Sequence, residues 1–201
     1  MVYNNYYDYR SWGFVMSDIL KEGSFTYADY YSWDDGTRWE LFEGAAYAMV
    51  PAPSIDHQRT LLELSWHIKS FLRDKPCELF IAPFDVRLNA YDEDNTVVQP
   101  DLVVICDKTK ITKAGCVGAP DFIIEILSPY TARHDRLIKY NLYLKAGVKE
   151  YWIVDPDTKT VQVNIMNDGK YYTNEYSDQY RAPVSVLPGL EIILRDIFDE
   201  V

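Results

Sequence analysis

One acidic side chain inside an apolar run constrains this chain more than any other feature. Residues 118–155 read GAPDFIIEILSPYTARHDRLIKYNLYLKAGVKEYWIVD, with Glu125 set between Phe122-Ile123-Ile124 and Ile126-Leu127. The run has the composition of a buried strand. A carboxylate in a buried strand is costly unless a cation or a donor network holds it. Two-residue alternation puts Asp121, Ile123, Glu125 and Leu127 on one face. A helical segment follows, carrying Asp135 and Lys139 one turn apart. The other acid to consider is Asp101, which opens a second strand after proline in Gln99-Pro100-Asp101-Leu102-Val103-Val104.

The rest of the chain reads as alternating short strands and helices. Thr26 opens a short helix within Ser24–Trp33, and Asp34-Asp35-Gly36 turns the chain. Trp39–Phe42 and Ala46–Met49 flank Glu43-Gly44 as a hairpin. Pro51-Ala52-Pro53 is a stiff connector, and Ser54 caps a helix with Asp56 in its first turn. Leu61, Leu64, Ile68 and Phe71 give that helix its apolar stripe, widened by Leu62 and Leu72, as far as about Arg73. Strands are expected at Cys77–Ile81, Phe84–Leu88 and Val97–Cys106, with a solvated acidic loop at Tyr91–Asn95. Lys108–Gly118 reads as a polar connection. Val161, Val163 and Ile165 alternate as a strand, Asn167-Asp168-Gly169 forms a hairpin turn into Tyr171–Tyr176, and Glu191–Leu194 is a last strand. This pattern gives one α/β domain over residues 26–201, preceded by an N-terminal arm at 1–25.

Composition narrows the function classes. At 201 residues the chain can bury a sizeable core, and no apolar run approaches the ~18 residues a membrane span needs. The N-terminus lacks a basic-then-apolar export pattern. Cys77, Cys106 and Cys116 are scattered without paired spacing, which reads as reduced cytoplasmic thiols rather than a disulfide or zinc site. A net charge of −11 argues against a coat protein for nucleic acid, though carboxylates can recruit phosphates through a divalent cation. Aromatic residues make up 15% of the chain, and with its acidity this suggests a soluble homodimer burying Tyr and Trp. No G-x-S-x-G and no evident Cys–His arrangement supports a covalent hydrolase.

On a helical wheel of about 100° per residue, Asp135 and Lys139 share an arc with Ile138, Leu142 and Ala146. A narrow polar arc about 120° away holds His134, Asn141 and Lys145. Lys139 is therefore off the solvent arc, and as an inward-pointing lysine on the helix after Glu125 it is a candidate partner for that carboxylate. Two carboxylates and a lysine suit metal-assisted phosphodiester hydrolysis: Asp101 and Glu125 hold Mg²⁺ or Mn²⁺, and Lys139 orients water or stabilises charge. The competing reading is structural, with Asp101 capping a turn, Glu125 paired to a buried lysine and Asp135–Lys139 an i,i+4 salt bridge.

From about Tyr27 to Phe198 the chain resembles the Uma-two family of restriction-endonuclease-like proteins, in the PD-(D/E)xK superfamily. The matching pieces are WELFEGAAYAM, PAPSIDHQ, VVQPDLVVI and APDFIIEILSPYTARHDRLIKYNLYLKAGVKEYWIVDP. The resemblance implies a mixed central sheet flanked by helices, divalent-metal endonuclease chemistry on DNA, and Asp101 and Glu125 as metal carboxylates. The superfamily's lysine normally follows the second carboxylate by two residues. Leu127 stands there, so the resemblance assigns the migrated lysine to Lys139. Glu43 and His57 also match family positions and, with Asp135, are expected beside the site. The alternative function is a non-catalytic member of the same fold that binds nucleic acid or protein.

Overall fold

Leu102–Ile105 and Phe122–Ile126 are buried at every position, so both faces of the sheet they build must be covered. The computed structural model describes residues 20–21, 23–49, 54–128 and 134–198. The Pro51-Ala52-Pro53 connector and most of the N-terminal arm lie outside the described residues. In chain order the strands are β1 (Leu20–Lys21), β2 (Trp39–Phe42), β3 (Ala45–Ala48), β4 (Glu78–Ile81) and β5 (Val86–Arg87). Then come β6 (Val97–Val98), β7 (Leu102–Ile105), β8 (Ile111–Thr112), β9 (Gly115–Val117) and β10 (Phe122–Ile126). The last are β11 (Glu150–Asp155), β12 (Thr160–Asn167), β13 (Lys170–Ser177), β14 (Arg181–Pro183) and β15 (Glu191–Ile193). The helices are α1 (Tyr27–Tyr31), α2 (Ile55–Phe71), α3 (Tyr140–Ala146) and α4 (Leu194–Phe198).

A six-stranded sheet in the order β13-β12-β11-β10-β7-β4 forms the centre, and only its β10–β11 pair is parallel. Phe122, Ile124 and Ile126 of β10 pack on one side, with Leu64 and Ile68 of α2 and Leu194 and Ile197 of α4. Ile123 and Leu127 face the other side, with Leu142 and Tyr143 of α3 and with Val86, Val98 and Cys116 of a second sheet. That second sheet is seven-stranded, in the order β1-β3-β2-β6-β5-β9-β8. Gln99-Pro100-Asp101 carries the chain from one sheet to the other, because β6 belongs to the second and β7 to the first. Proline has no N–H to continue a ladder, which suits this break.

Most local expectations are met. Thr26 and Asp29 form the capping box of α1, and the Ser54 hydroxyl accepts from the His57 N–H at the start of α2. Glu43-Gly44 and Asp168-Gly169 both take positive φ, the geometry of two-residue hairpin turns. Four readings need correction. Leu62 does not widen the buried stripe of α2, since it is 68% exposed. Lys108–Gly118 is not a bare connection: a 3₁₀ turn at Lys108–Lys110 leads into β8 and β9. The segment His134–Lys139 winds as a π-helix before α3, which is wider than the α-helical wheel assumes. The cysteines are not all reduced, because Cys77 and Cys106 form a disulfide across the β4–β7 pair, where Glu78 and Ile105 are register partners. Cys116 alone is free, buried, and its thiol is pushed up to about 12 by burial.

Candidate active site

The antiparallel register of β7 on β10 sets Leu102 against Ile124 and Val103 against Ile123. Continued one residue, it brings Asp101 alongside Glu125, and the Asp101 N–H lies 3.4 Å from Glu125 Oε2. Because β7 stops at Leu102, the Ile126 N–H has no ladder partner on that side; it donates instead to Asp101 Oδ2 at 2.8 Å. His57, in the first turn of α2, sets Nε2 3.1 Å from the same oxygen. Both contacts use Oδ2, which leaves Asp101 Oδ1 without a hydrogen-bond partner among the described residues.

Glu125 is buried and held from the opposite side. Lys139 Nζ lies 2.9 Å from its Oε1, and the Tyr143 hydroxyl donates to that oxygen at 2.7 Å. The same ammonium lies 3.0 Å from Glu40 Oε1 and 3.6 Å from Asp135 Oδ1. Glu40 comes from β2 of the second sheet, and its Oε1 also accepts the Gln99 N–H at 2.7 Å. Three acidic side chains thus share one lysine at the junction of the sheets, with Asp101 beside them. Burial drives the Glu125 pKa well above its ordinary value; Lys139 opposes this, and Asp135, Asp101 and Glu40 add to it. Burial by itself would lower the Lys139 pKa. Glu125, Glu40 and Asp135 outweigh it and hold the ammonium well above the usual lysine value.

The fold therefore brings Asp101, Glu125, Lys139, Asp135 and His57 together. Glu43 is not among them: it is exposed in the β2–β3 turn, 2.6 Å from Lys145. Its carboxylate points to solvent because it occupies the turn, whereas Glu40, three residues earlier, occupies the strand. Glu40 and Tyr143 were missed in the sequence. Glu40 is flanked by Trp39, Leu41 and Phe42, a setting that resembles that of Glu125 but equally fits a half-exposed strand. Beyond the cluster, the Gln99 side chain accepts from the exposed Arg38 guanidinium at 2.6 and 3.1 Å and donates to Asp85 at 2.8 Å.

A hard divalent cation fits this donor set. Among the described residues Asp101 Oδ1 has no hydrogen-bond partner, and Glu125 Oε2 accepts the one long contact from the Asp101 N–H. Magnesium is commonly bound by one or two carboxylates while keeping waters and substrate oxygens. Among the described residues no group of three or more His, Cys, Asp or Glu donors is placed to hold a metal, so a closed structural site of the zinc type is not formed there.

A mixed sheet flanked by helices, with paired carboxylates where two strands meet, is the restriction-endonuclease-like architecture. The chain shares its fold with a crystal structure described as a "putative nuclease belonging to DUF820" from Anabaena variabilis ATCC 29413. The TM-score is 0.71 at 22% identity, covering 87% of this chain and 97% of that one. Residues 27–195 match the Uma2 family, described as "Putative restriction endonuclease", and the chain belongs to that family. An uncharacterised protein of Synechocystis sp. is 27% identical over 143 residues, which is 70% of this chain and 73% of that protein.

Proposed function

We propose that this protein is a divalent-metal-dependent endonuclease that hydrolyses DNA phosphodiester bonds. The observation that supports it most is the facing pair Asp101 and Glu125, with the Lys139 ammonium 2.9 Å from Glu125 Oε1. Asp101 and Glu125 would hold Mg²⁺ or Mn²⁺; when bound, the ion supplies Lewis acidity toward the phosphate and acidifies water. Lys139 is kept protonated by its carboxylates and presents a fixed positive charge to the negative charge that develops on phosphate. Tyr143 fixes Glu125 Oε1, so that Oε2 is the oxygen directed at Asp101. Arg38, exposed and tied to the cluster through Gln99, offers a cation for a neighbouring phosphate. No helix among the described residues is long and apolar enough to cross a membrane. We assign the working unit to a homodimer.

The test is cleavage of plasmid, linear duplex and single-stranded DNA with Mg²⁺ or Mn²⁺, against EDTA controls. Cleavage is expected with metal and none with EDTA. Asp101→Ala and Glu125→Ala should each abolish it. Lys139→Arg should recover little, because a planar fork cannot occupy the place of a compact ammonium. A folded Asp101→Ala/Glu125→Ala protein that still cuts DNA at the wild-type rate would refute the assignment. Absence of cleavage on every DNA form, with no Mn²⁺ bound, would instead favour a non-catalytic protein- or nucleic-acid-binding role.

A further inference from the structure

We propose that His57 is a positioning residue for Asp101, fixing that carboxylate so that one oxygen is left to the metal; the proposal rests on the nuclease reading above. His57 is 6% exposed, and its ring emerges from the first turn of α2, where Ser54 Oγ accepts the His57 N–H at 3.2 Å. A carboxylate only accepts, so His57 Nε2 donates to Asp101 Oδ2 across 3.1 Å. The other ring nitrogen, Nδ1, is buried and has no hydrogen-bond partner among the described residues.

That orphan nitrogen separates a positioning role from a packing role. A histidine retained to stitch the core would have both ring nitrogens satisfied, since an unpaired buried polar atom is unfavourable. An apolar side chain would fill the same space without that cost. Among the described residues the one polar contact the ring makes is with Asp101. The consequence is geometric. Asp101 follows a proline just before the start of β7 and has two rotatable side-chain bonds. The Ile126 N–H and His57 Nε2 both engage Oδ2, and two donors on one oxygen fix the rotation of the carboxylate. The partner-free Oδ1 is then held in a single place. Glu125 is treated in the same way, with Lys139 and Tyr143 both on Oε1 and Oε2 left toward Asp101. Each carboxylate is anchored through one oxygen, and His57 supplies a side-chain anchor for the first of them.

The experiment compares full-length wild type with His57→Leu, His57→Phe and His57→Gln. Mn²⁺ affinity is read from the electron paramagnetic resonance signal of free Mn²⁺, and folding from thermal melts. The apolar variants should stay folded, because they remove the orphan nitrogen, yet bind Mn²⁺ roughly 10- to 100-fold more weakly, as loss of an outer-shell partner does. His57→Gln, whose amide can still donate to Asp101, should recover part of that loss. In cleavage assays the apolar variants should raise the Mn²⁺ concentration needed for half-maximal rate more than they lower the rate at saturation. Two apolar variants of different shape keep the comparison available if one fails to fold. A folded apolar variant that binds Mn²⁺ as tightly as wild type overturns the role of His57 alone. A wild-type protein that binds no Mn²⁺ overturns the metal reading, and this inference with it. Equal losses in the Gln and apolar variants also count against it, since a retained donor would then have no effect.

Discussion

At the residue scale, Lys139 and Glu125 are neighbours with unequal consequences for stability. Lys139 lies within 3.6 Å of Asp135, 3.0 Å of Glu40 and 2.9 Å of Glu125. Replacing it by alanine strands buried carboxylates together, and the loss should reach about 3–5 kcal/mol in chemical denaturation. Glu125→Gln leaves Lys139 two carboxylates and keeps the side-chain shape without an ionisable group that burial penalises, so it should cost less than about 1 kcal/mol near neutral pH. The pH dependence follows from the direction of the Glu125 shift. Its folded-state pKa is raised by burial above the ordinary value of 4.5, so the folded chain keeps a proton that the unfolded chain releases. Stability from this group is complete below the unfolded value and is lost as pH rises through the folded pKa. Glu125→Gln, which cannot ionise, should therefore lose less melting temperature than wild type as pH is raised above the ordinary carboxylate value of 4.5. An equal or steeper decline in the variant would contradict the assignment of that slope to Glu125.

At the element scale, strand pairing decides more than helix geometry, and β9 shows how tightly the strands are fitted. Gly115 opens β9 at φ +122, and a Cβ there would collide with the Asp85 carbonyl oxygen, which also accepts the Cys116 N–H at 2.8 Å. Gly115→Ala should cost about 2–4 kcal/mol by combining a disfavoured backbone with that clash. A urea melt within 0.5 kcal/mol of wild type would show that the β5–β9 contact relaxes freely. The elements also mark where the sequence was readable. Period-two alternation was enough to put Glu125 on the face of Ile123 and Leu127, and the wheel was enough to bury Asp135 and Lys139 even though the turn proved to be π-helical. Glu40 was harder to read, since an acid between Trp39 and Leu41 also fits an ordinary half-exposed strand. Its burial comes from one sheet stacking on another, which no local pattern encodes. The disulfide is a similar case: Cys77 and Cys106 end two strand runs 29 residues apart, and only their antiparallel pairing brings the thiols together.

At the scale of the whole molecule, a net charge of −11 makes copies of the chain repel one another unless they meet through a complementary face. The outer surface of α2 has that character. Ile55, Leu62 and Trp66 are 70%, 68% and 61% exposed. Their spacing of seven and then four residues puts them on one stripe of the helix. Exposed charges also lie along α2: Asp56 in its first turn, which Arg59 meets at 3.4 Å, and Lys69 in its last. Antiparallel packing of α2 on its copy, with the two-fold axis beside Leu62, would pair Asp56 with Lys69 twice and stack the apolar stripe on itself. Such an isologous contact uses one patch for both partners. Light scattering at about 20 μM should then report twice the chain mass. Leu62→Glu and Trp66→Glu should each give monomers, because each puts a charge at the centre of the stripe. Asp56→Lys and Lys69→Asp should each weaken the dimer, while the two together should restore it, since the pairs are re-formed with reversed sign. A wild-type monomer at that concentration would rule out the dimer, and a dimer that survives Leu62→Glu would move the interface to another face.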